Sequence, residues 1–206
     1  MKKHFLIIIL TTFYLFGIAG HLWHKTLPLM QDLTPLVLLA FTLIVLIPAV
    51  RDDKKVFLWF LLTYAATFAV EAAGVATGLV FGPYHYGTTL GPKLLEVPLI
   101  IGANWVMIVL GALRLSERLA VRPFPSALIA AALATAFDWV MEPVAIRLDY
   151  WQWHTADIPL QNYVAWFVTA AVAAYLYRRF RLKTKTILPA WYFLVQGAFF
   201  AVLRWV

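Results

Sequence analysis

The sequence predicts an all-α fold: a polytopic membrane bundle of about seven transmembrane helices, forming one integral-membrane domain over residues 1–206. Three observations predict it. Of 206 residues, 63% are hydrophobic and 13% charged, and mean hydropathy is +0.81, which is a membrane composition rather than a soluble one. The apolar residues gather into seven runs, each about the length that crosses the hydrocarbon layer. The basic residues gather in alternate connections between those runs.

The runs fall at 4–22, 34–50, 56–78, 94–114, 125–147, 158–178 and 187–205. The first follows Met1-Lys2-Lys3 and ends Gly-Ile-Ala-Gly, so it resembles a signal peptide, although a retained helix is the expectation here. The second is the shortest and ends near Pro48. The fourth is expected to re-enter the membrane at Glu96-Val97-Pro98. The fifth contains Pro143, where a kink is expected. Together the runs leave no room for a sizeable soluble domain, and no internal repeat or long linker is visible.

With seven spans, the N-terminus and the even-numbered connections share a side. That side holds Lys2, Lys3, Arg51, Lys54, Lys55, Arg114, Arg118, Arg122, Arg178, Arg179, Arg181, Lys183 and Lys185. The other side holds only Lys25, Lys93, Arg147 and Arg204. The positive-inside rule therefore predicts the N-terminus in the cytoplasm and the C-terminus outside. The same placement explains the net charge of +7 by topology, so no nucleic-acid partner is implied. With no cysteine, a disulfide framework, a thiol nucleophile and an iron–sulfur cluster are all excluded.

The candidate chemistry lies in the apolar runs and the outer loops. Glu71 stands inside the third run, and an ionisable residue in hydrocarbon marks a site by default. The alternative is that it only caps an interhelical hydrogen bond. Asp138 and Glu142 are four apart in the fifth run and share a helix face. By helical rise, Asp138 lies about 12 Å and Glu142 about 6 Å inside the outer end of their helix, with Glu71 about 10 Å and Asn162 about 6 Å inside theirs. Similar depth on three helices predicts one shared pocket, since carboxylates facing lipid are not tolerated. A polar cluster that merely ties helices together is the other reading. Gly74 and Gly78 form a small-xxx-small pair beside Glu71 that admits a neighbouring helix or a flat ligand.

The two outer loops are dense in aromatic residues. One contains Tyr84-His85-Tyr86 and the other Trp151-Gln152-Trp153. An interfacial aromatic belt accounts for most such residues, but aromatic faces also stabilise cations by about 0.5–2 kcal/mol each. Asn104, Trp105, Gln161, Asn162 and Trp166 are placed to line the same cavity. A carboxylic acid withdrawn from water resists ionisation and can stay protonated near neutral pH. Such an acid can protonate an alkene, ring faces can stabilise the tertiary cation, and a second carboxylate can take a proton from water. This chemistry requires no metal or nucleotide. On physical grounds it is one chemistry among several.

The same blocks carry a resemblance. Glu71-Ala-Ala-Gly74-Val-Ala-Thr77-Gly78, Phe81-Gly82-Pro83-Tyr84-His85-Tyr86-Gly87, Leu90-Gly91-Pro92-Lys93, and Val97-Pro98 leading to Asn104-Trp105 occur in order. Asp138-Trp-Val-Met-Glu142-Pro143, Trp151-Gln152-Trp153 and Ile158-Pro159-Leu-Gln161-Asn162-Tyr163-Val-Ala-Trp166 follow. With these blocks, residues 71 to 166 resemble the membrane carotenoid 1,2-hydratases, the family of gamma-carotene and bisanhydrobacterioruberin hydratases. The resemblance implies addition of water across the terminal C1=C2 bond of an acyclic carotenoid end group, without a cofactor. It implies catalysis by Glu71, Asp138 and Glu142. It also implies a carotenoid substrate held in the bilayer, a bacterial inner-membrane location, and contact with other enzymes of carotenoid synthesis. Which carboxylate is acid and which base stays open. Where other members carry a glycine-rich segment before Ile158-Pro159, this chain has the short His154-Thr-Ala-Asp157, as in the compact bacterial form.

Rival readings remain. A microbial rhodopsin needs a lysine in the last helix, and 187–205 has none. A metal-dependent membrane enzyme acting on a lipid would use His21, His24, His85 and His154 with the carboxylates, although their spacing matches no tight motif. A transporter would show inverted repeats, and no pairing of halves is visible. A carotenoid-binding protein without activity is separated from an enzyme only by an assay.

Overall fold

The computed structural model describes residues 2–119 and 122–206. Among the described residues, seven helices form the bundle: α1 (Lys2–Leu22), α2 (Leu27–Asp52), α3 (Lys55–Thr77), α4 (Leu99–Ser116), α5 (Pro123–Arg147), α6 (Leu160–Arg179) and α7 (Leu188–Trp205). The all-α expectation is met except for two small ribbons. Strand β1 (Tyr84–Tyr86) pairs antiparallel with β4 (Trp151–Trp153), and β2 (Lys93–Leu94) pairs with β3 (Val97–Pro98). Five helices, α1 to α5, are long and apolar enough to cross a membrane. Helix α6 falls short because Gln161, Asn162 and Thr169 interrupt it and Arg178-Arg179 end it.

Helix α4 is the axis. From Gly102 to Leu113 every residue is buried, as expected of a helix apolar on all sides. Its neighbours are α2, α3, α5, α6 and α7. Glycine sets the closest approach, because a Cβ on Gly111 would stand 2.5 Å from the Pro189 carbonyl oxygen and 2.6 Å from Phe193 Cβ. Helices α1 and α7 interlock through rings: Tyr14 meets Tyr192 and Phe199 edge-on, and Trp191 Nε1 donates to Thr11 at 2.9 Å.

Two elements differ from the sequence expectation. Helix α2 is the longest rather than the shortest, at 26 residues. Pro28 sits in its first turn, where a missing N–H is harmless, and Gln31 and Asp32 form polar turns that an apolar-run count omits. Helix α4 begins at Leu99, five residues after the predicted start. Residues 93–98 instead make the β2–β3 hairpin, whose two turn residues, Leu95 and Glu96, both have positive φ. The Leu99 N–H then closes onto the Pro92 carbonyl at 3.0 Å.

The connections sort to opposite ends of the bundle. At one end, Asp52 accepts from the Lys185 and Thr186 backbone N–H groups, both at 2.7 Å, and Glu117 pairs with Arg114 and with Arg178. At the other, the loop after α3 and the loop after α5 join through β1 and β4, and Gln31 Nε2 at the start of α2 donates to the Leu148 carbonyl at 3.0 Å.

Candidate functional site

The site begins with the β1–β4 register. Tyr84 lies opposite Trp153, His85 opposite Gln152, and Tyr86 opposite Trp151. Side chains alternate across a strand, so all four large aromatic residues fall on one face and His85 and Gln152 on the other. The aromatic face closes over the ends of α3, α5 and α6. Tyr84 and Trp153 rings lie 5.0 Å apart, and those of Tyr84 and Tyr86 5.5 Å apart.

Beneath this cover lie three carboxylates, Glu71 on α3 and Asp138 and Glu142 on α5, which are 3%, 2% and 2% exposed. The one-turn spacing of Asp138 and Glu142 puts both against Asn162 on α6. Its Nδ2 donates to Asp138 Oδ2 at 3.0 Å and to Glu142 Oε1 at 3.1 Å. Glu142 Oε2 accepts two further N–H groups, from Trp151 Nε1 at 3.0 Å and Trp153 Nε1 at 3.1 Å. Glu71 accepts from the Tyr84 hydroxyl. Burial, and then the Glu71 carboxylate, hold the Tyr84 phenol far above its ordinary pKa, and the same two causes act on Tyr86. Both remain donors at any working pH. No ion pair reaches any of the three acids among the described residues.

The acids enclose a cavity of about 40 Å3, room for a few water molecules. Eleven of the expected site residues line it: the three acids, Tyr84, Tyr86, Asn104, Trp105, Trp151, Trp153, Asn162 and Trp166. Its wall is aromatic. The Trp105 and Trp166 rings approach to 4.4 Å, and Phe81 stacks on Trp166 at 4.8 Å and 23°. Trp105 Nε1 is buried without an acceptor among the described residues, a donor that a water in the cavity can satisfy. Asn104 on the central helix is held from α7, where the Tyr192 hydroxyl and Gln196 Nε2 donate to its Oδ1 at 2.6 and 3.2 Å.

Three expected binding residues lie outside this cavity. Gly74 is buried under Phe81, whose ring would sit 2.5 Å from a Cβ there, so the glycine serves to seat that ring. Gly78 caps α3 in the left-handed conformation, φ 66°, against Pro83. His85 is exposed and shares a 2.9 Å hydrogen bond with His154. His21 Nδ1 lies 2.7 Å from the Gly17 carbonyl, and among the described residues no three His, Asp or Glu side chains converge as metal ligands do. Gln161 turns away as well, donating to the Leu79 carbonyl.

Four lining residues escape the sequence reading: Phe81, Ile101, Phe137 and Met141. Met141 was within reach of it, because it stands three residues after Asp138 on the same helix face. Phe137 and Ile101 carry no such signal, as they are apolar residues in apolar helices.

A family model described as "Carotenoid biosynthesis protein" matches residues 33–204. Among curated proteins, bisanhydrobacterioruberin hydratase of Haloarcula japonica is 31% identical over 122 residues, which cover 54% of this chain and 41% of the relative. The match thus spans less than half of that relative's length. No solved structure matches the chain.

Proposed function

The chain belongs to the carotenoid biosynthesis protein family, and we propose that it is a carotenoid hydratase, adding water across the terminal C1=C2 bond of an acyclic end group to give a tertiary alcohol. One observation carries the reading. Three buried carboxylates, satisfied only by neutral donors, surround a water-sized cavity walled by aromatic rings. The name of the hydratase relative supports the same chemistry.

The hydrogen bonds divide the roles. Glu142 receives three N–H donors, a setting that suits a carboxylate anion. Asp138 receives one, which leaves Oδ1 available to carry a proton. In this reading Asp138 transfers its proton to C2, and the C1=C2 π pair forms the new C–H bond. The cation at C1 faces the Trp105, Trp166 and Tyr84 rings. A water oxygen bonds to C1, and Glu142 takes the released proton. One proton leaves Asp138 and one arrives at Glu142, so its return between these neighbours resets the site. Glu71, fixed by Tyr84, opposes the developing positive charge from α3. The step draws on no cofactor. We place the N-terminus in the cytoplasm, all seven helices across the membrane, and the cavity in the outer half, following the basic-residue asymmetry.

The test is pigment analysis. The chain is expressed in a host that accumulates lycopene and in one that accumulates gamma-carotene, and extracts are weighed by mass spectrometry. The expected product gains one water per open end. An unchanged pigment in both hosts, with the protein verified in the membrane, rejects hydration of these end groups.

A further inference from the structure

A second, larger cavity adjoins the acid chamber. It measures about 340 Å3 and lies among α1, α2 and α7. Four residues, Ile101, Asn104, Met141 and Trp151, line both cavities, so they form the wall between them. The volumes assign different tasks. About 40 Å3 admits a few waters, whereas about 340 Å3 falls in the range of ligand pockets.

The lining of the larger cavity is mainly apolar, and part of it faces outward. Phe16 is 73% exposed, and Phe13 and Leu33 are exposed as well. All three lie within helices α1 and α2, both apolar enough to cross a membrane. The cavity therefore opens through the side of the bundle, on the surface that meets lipid. At its inner end stands Asn104, held by Tyr192 and Gln196.

We propose that this cavity receives the chain of a linear polyene isoprenoid, which enters sideways from the bilayer between α1 and α2 and presents its end at Asn104, Met141 and Trp151. The inference rests on the hydratase reading for the identity of the occupant. Its support is a wall shared with the acid chamber, an apolar lining and a mouth among exposed apolar side chains of α1 and α2. A stiff, apolar rod fits such a slot, and its remainder can stay among the lipid tails.

The experiment uses the full chain in phospholipid nanodiscs with lycopene as probe. A polyene fixed in a chiral cavity shows induced circular dichroism in its visible bands. Val37, which lines the cavity, is changed to Trp to fill it. Leu43→Trp, on the exposed face of the same helix, is the control. Asp138→Asn holds unconverted polyene. The expected result is an induced signal in wild type, Leu43→Trp and Asp138→Asn, weakened at least tenfold in Val37→Trp, with hydration falling in parallel in Val37→Trp and unchanged in Leu43→Trp. An undiminished signal in Val37→Trp overturns the assignment, and so does the lack of any signal in wild type, since acyl chains then hold the cavity. Hydration that continues in Val37→Trp at the wild-type rate removes the cavity from the path and leaves the hydratase reading intact. A signal lost in Val37→Trp without turnover in wild type keeps the polyene site and rejects the hydratase reading.

Discussion

The two ends of the bundle handle their carboxylates in different ways. At the end where α4 meets α5, Glu117 sits between Arg114 and Arg178, and Asp52 and Asp53 take backbone N–H groups from the segment before α7. Each carboxylate there has an arginine or loop amides as partners, which ties the loops together. At the ribbon end, Glu71, Asp138 and Glu142 are more deeply buried, and their partners are Tyr84, Trp151, Trp153 and Asn162. These donors orient the three carboxyl groups, and no ion pair reaches them among the described residues. The first end joins its acids to cations and loop amides, and the second surrounds its acids with aromatic and amide donors.

The largest effect that sharpens this contrast is expected from Asp138→Asn and Glu71→Gln. Each keeps the side-chain shape and most hydrogen bonds but removes a proton-transfer or charge-stabilising group. Hydration should fall by about 10²- to 10⁴-fold while the protein still inserts and accumulates. Wild-type turnover in both variants removes these residues from the mechanism.

Next come the indole donors. Trp151→Phe or Trp153→Phe deletes one N–H from Glu142 and leaves the other. A hydrogen bond to a charged group contributes about 1.5–3 kcal/mol, so each change should lower kcat by about 10- to 100-fold. If the double variant turns over as fast as wild type, the ribbon is a cover and not part of the acid–base machinery.

The opposite end should respond in stability alone. Glu117→Gln loses charge on two arginine contacts and should lower unfolding stability by about 1–3 kcal/mol, read as a lower thermal midpoint in detergent, with kcat unchanged. A large loss of kcat at full stability would erase the distinction between the ends.

The smallest effect is expected at the histidine pair. His85→Ala and His154→Ala should leave hydration within twofold of wild type, because both rings face away from the acids. A large loss, accompanied by stoichiometric metal in the wild-type protein, would favour the metal-dependent reading instead.

Much of this molecule is written in local patterns. Apolar runs and helix spacing determine the helices, because each depends only on neighbours along the chain. The one-turn spacing of Asp138 and Glu142 and the matching depth of Glu71 and Asn162 placed the acid chamber. The helix ends were less legible: α2 reaches beyond its apolar run, and Glu96-Val97-Pro98 lies in a hairpin, since polar end turns and two-residue turns carry weak signals.

From local spacing alone follows a helix bundle whose three carboxylates are expected in one pocket, and they do line one cavity. Which aromatic residues meet them depends on how distant segments pair. The pairing register of β1 with β4 turns Tyr84, Tyr86, Trp151 and Trp153 inward and His85 outward, and a slip of one residue would reverse that choice. The Phe81 ring occupies the space Gly74 leaves, and the larger cavity is lined by residues of α1, α2 and α7 that lie far apart in the chain. These depend on partners distant in the chain, and no local pattern encodes a distance between helices.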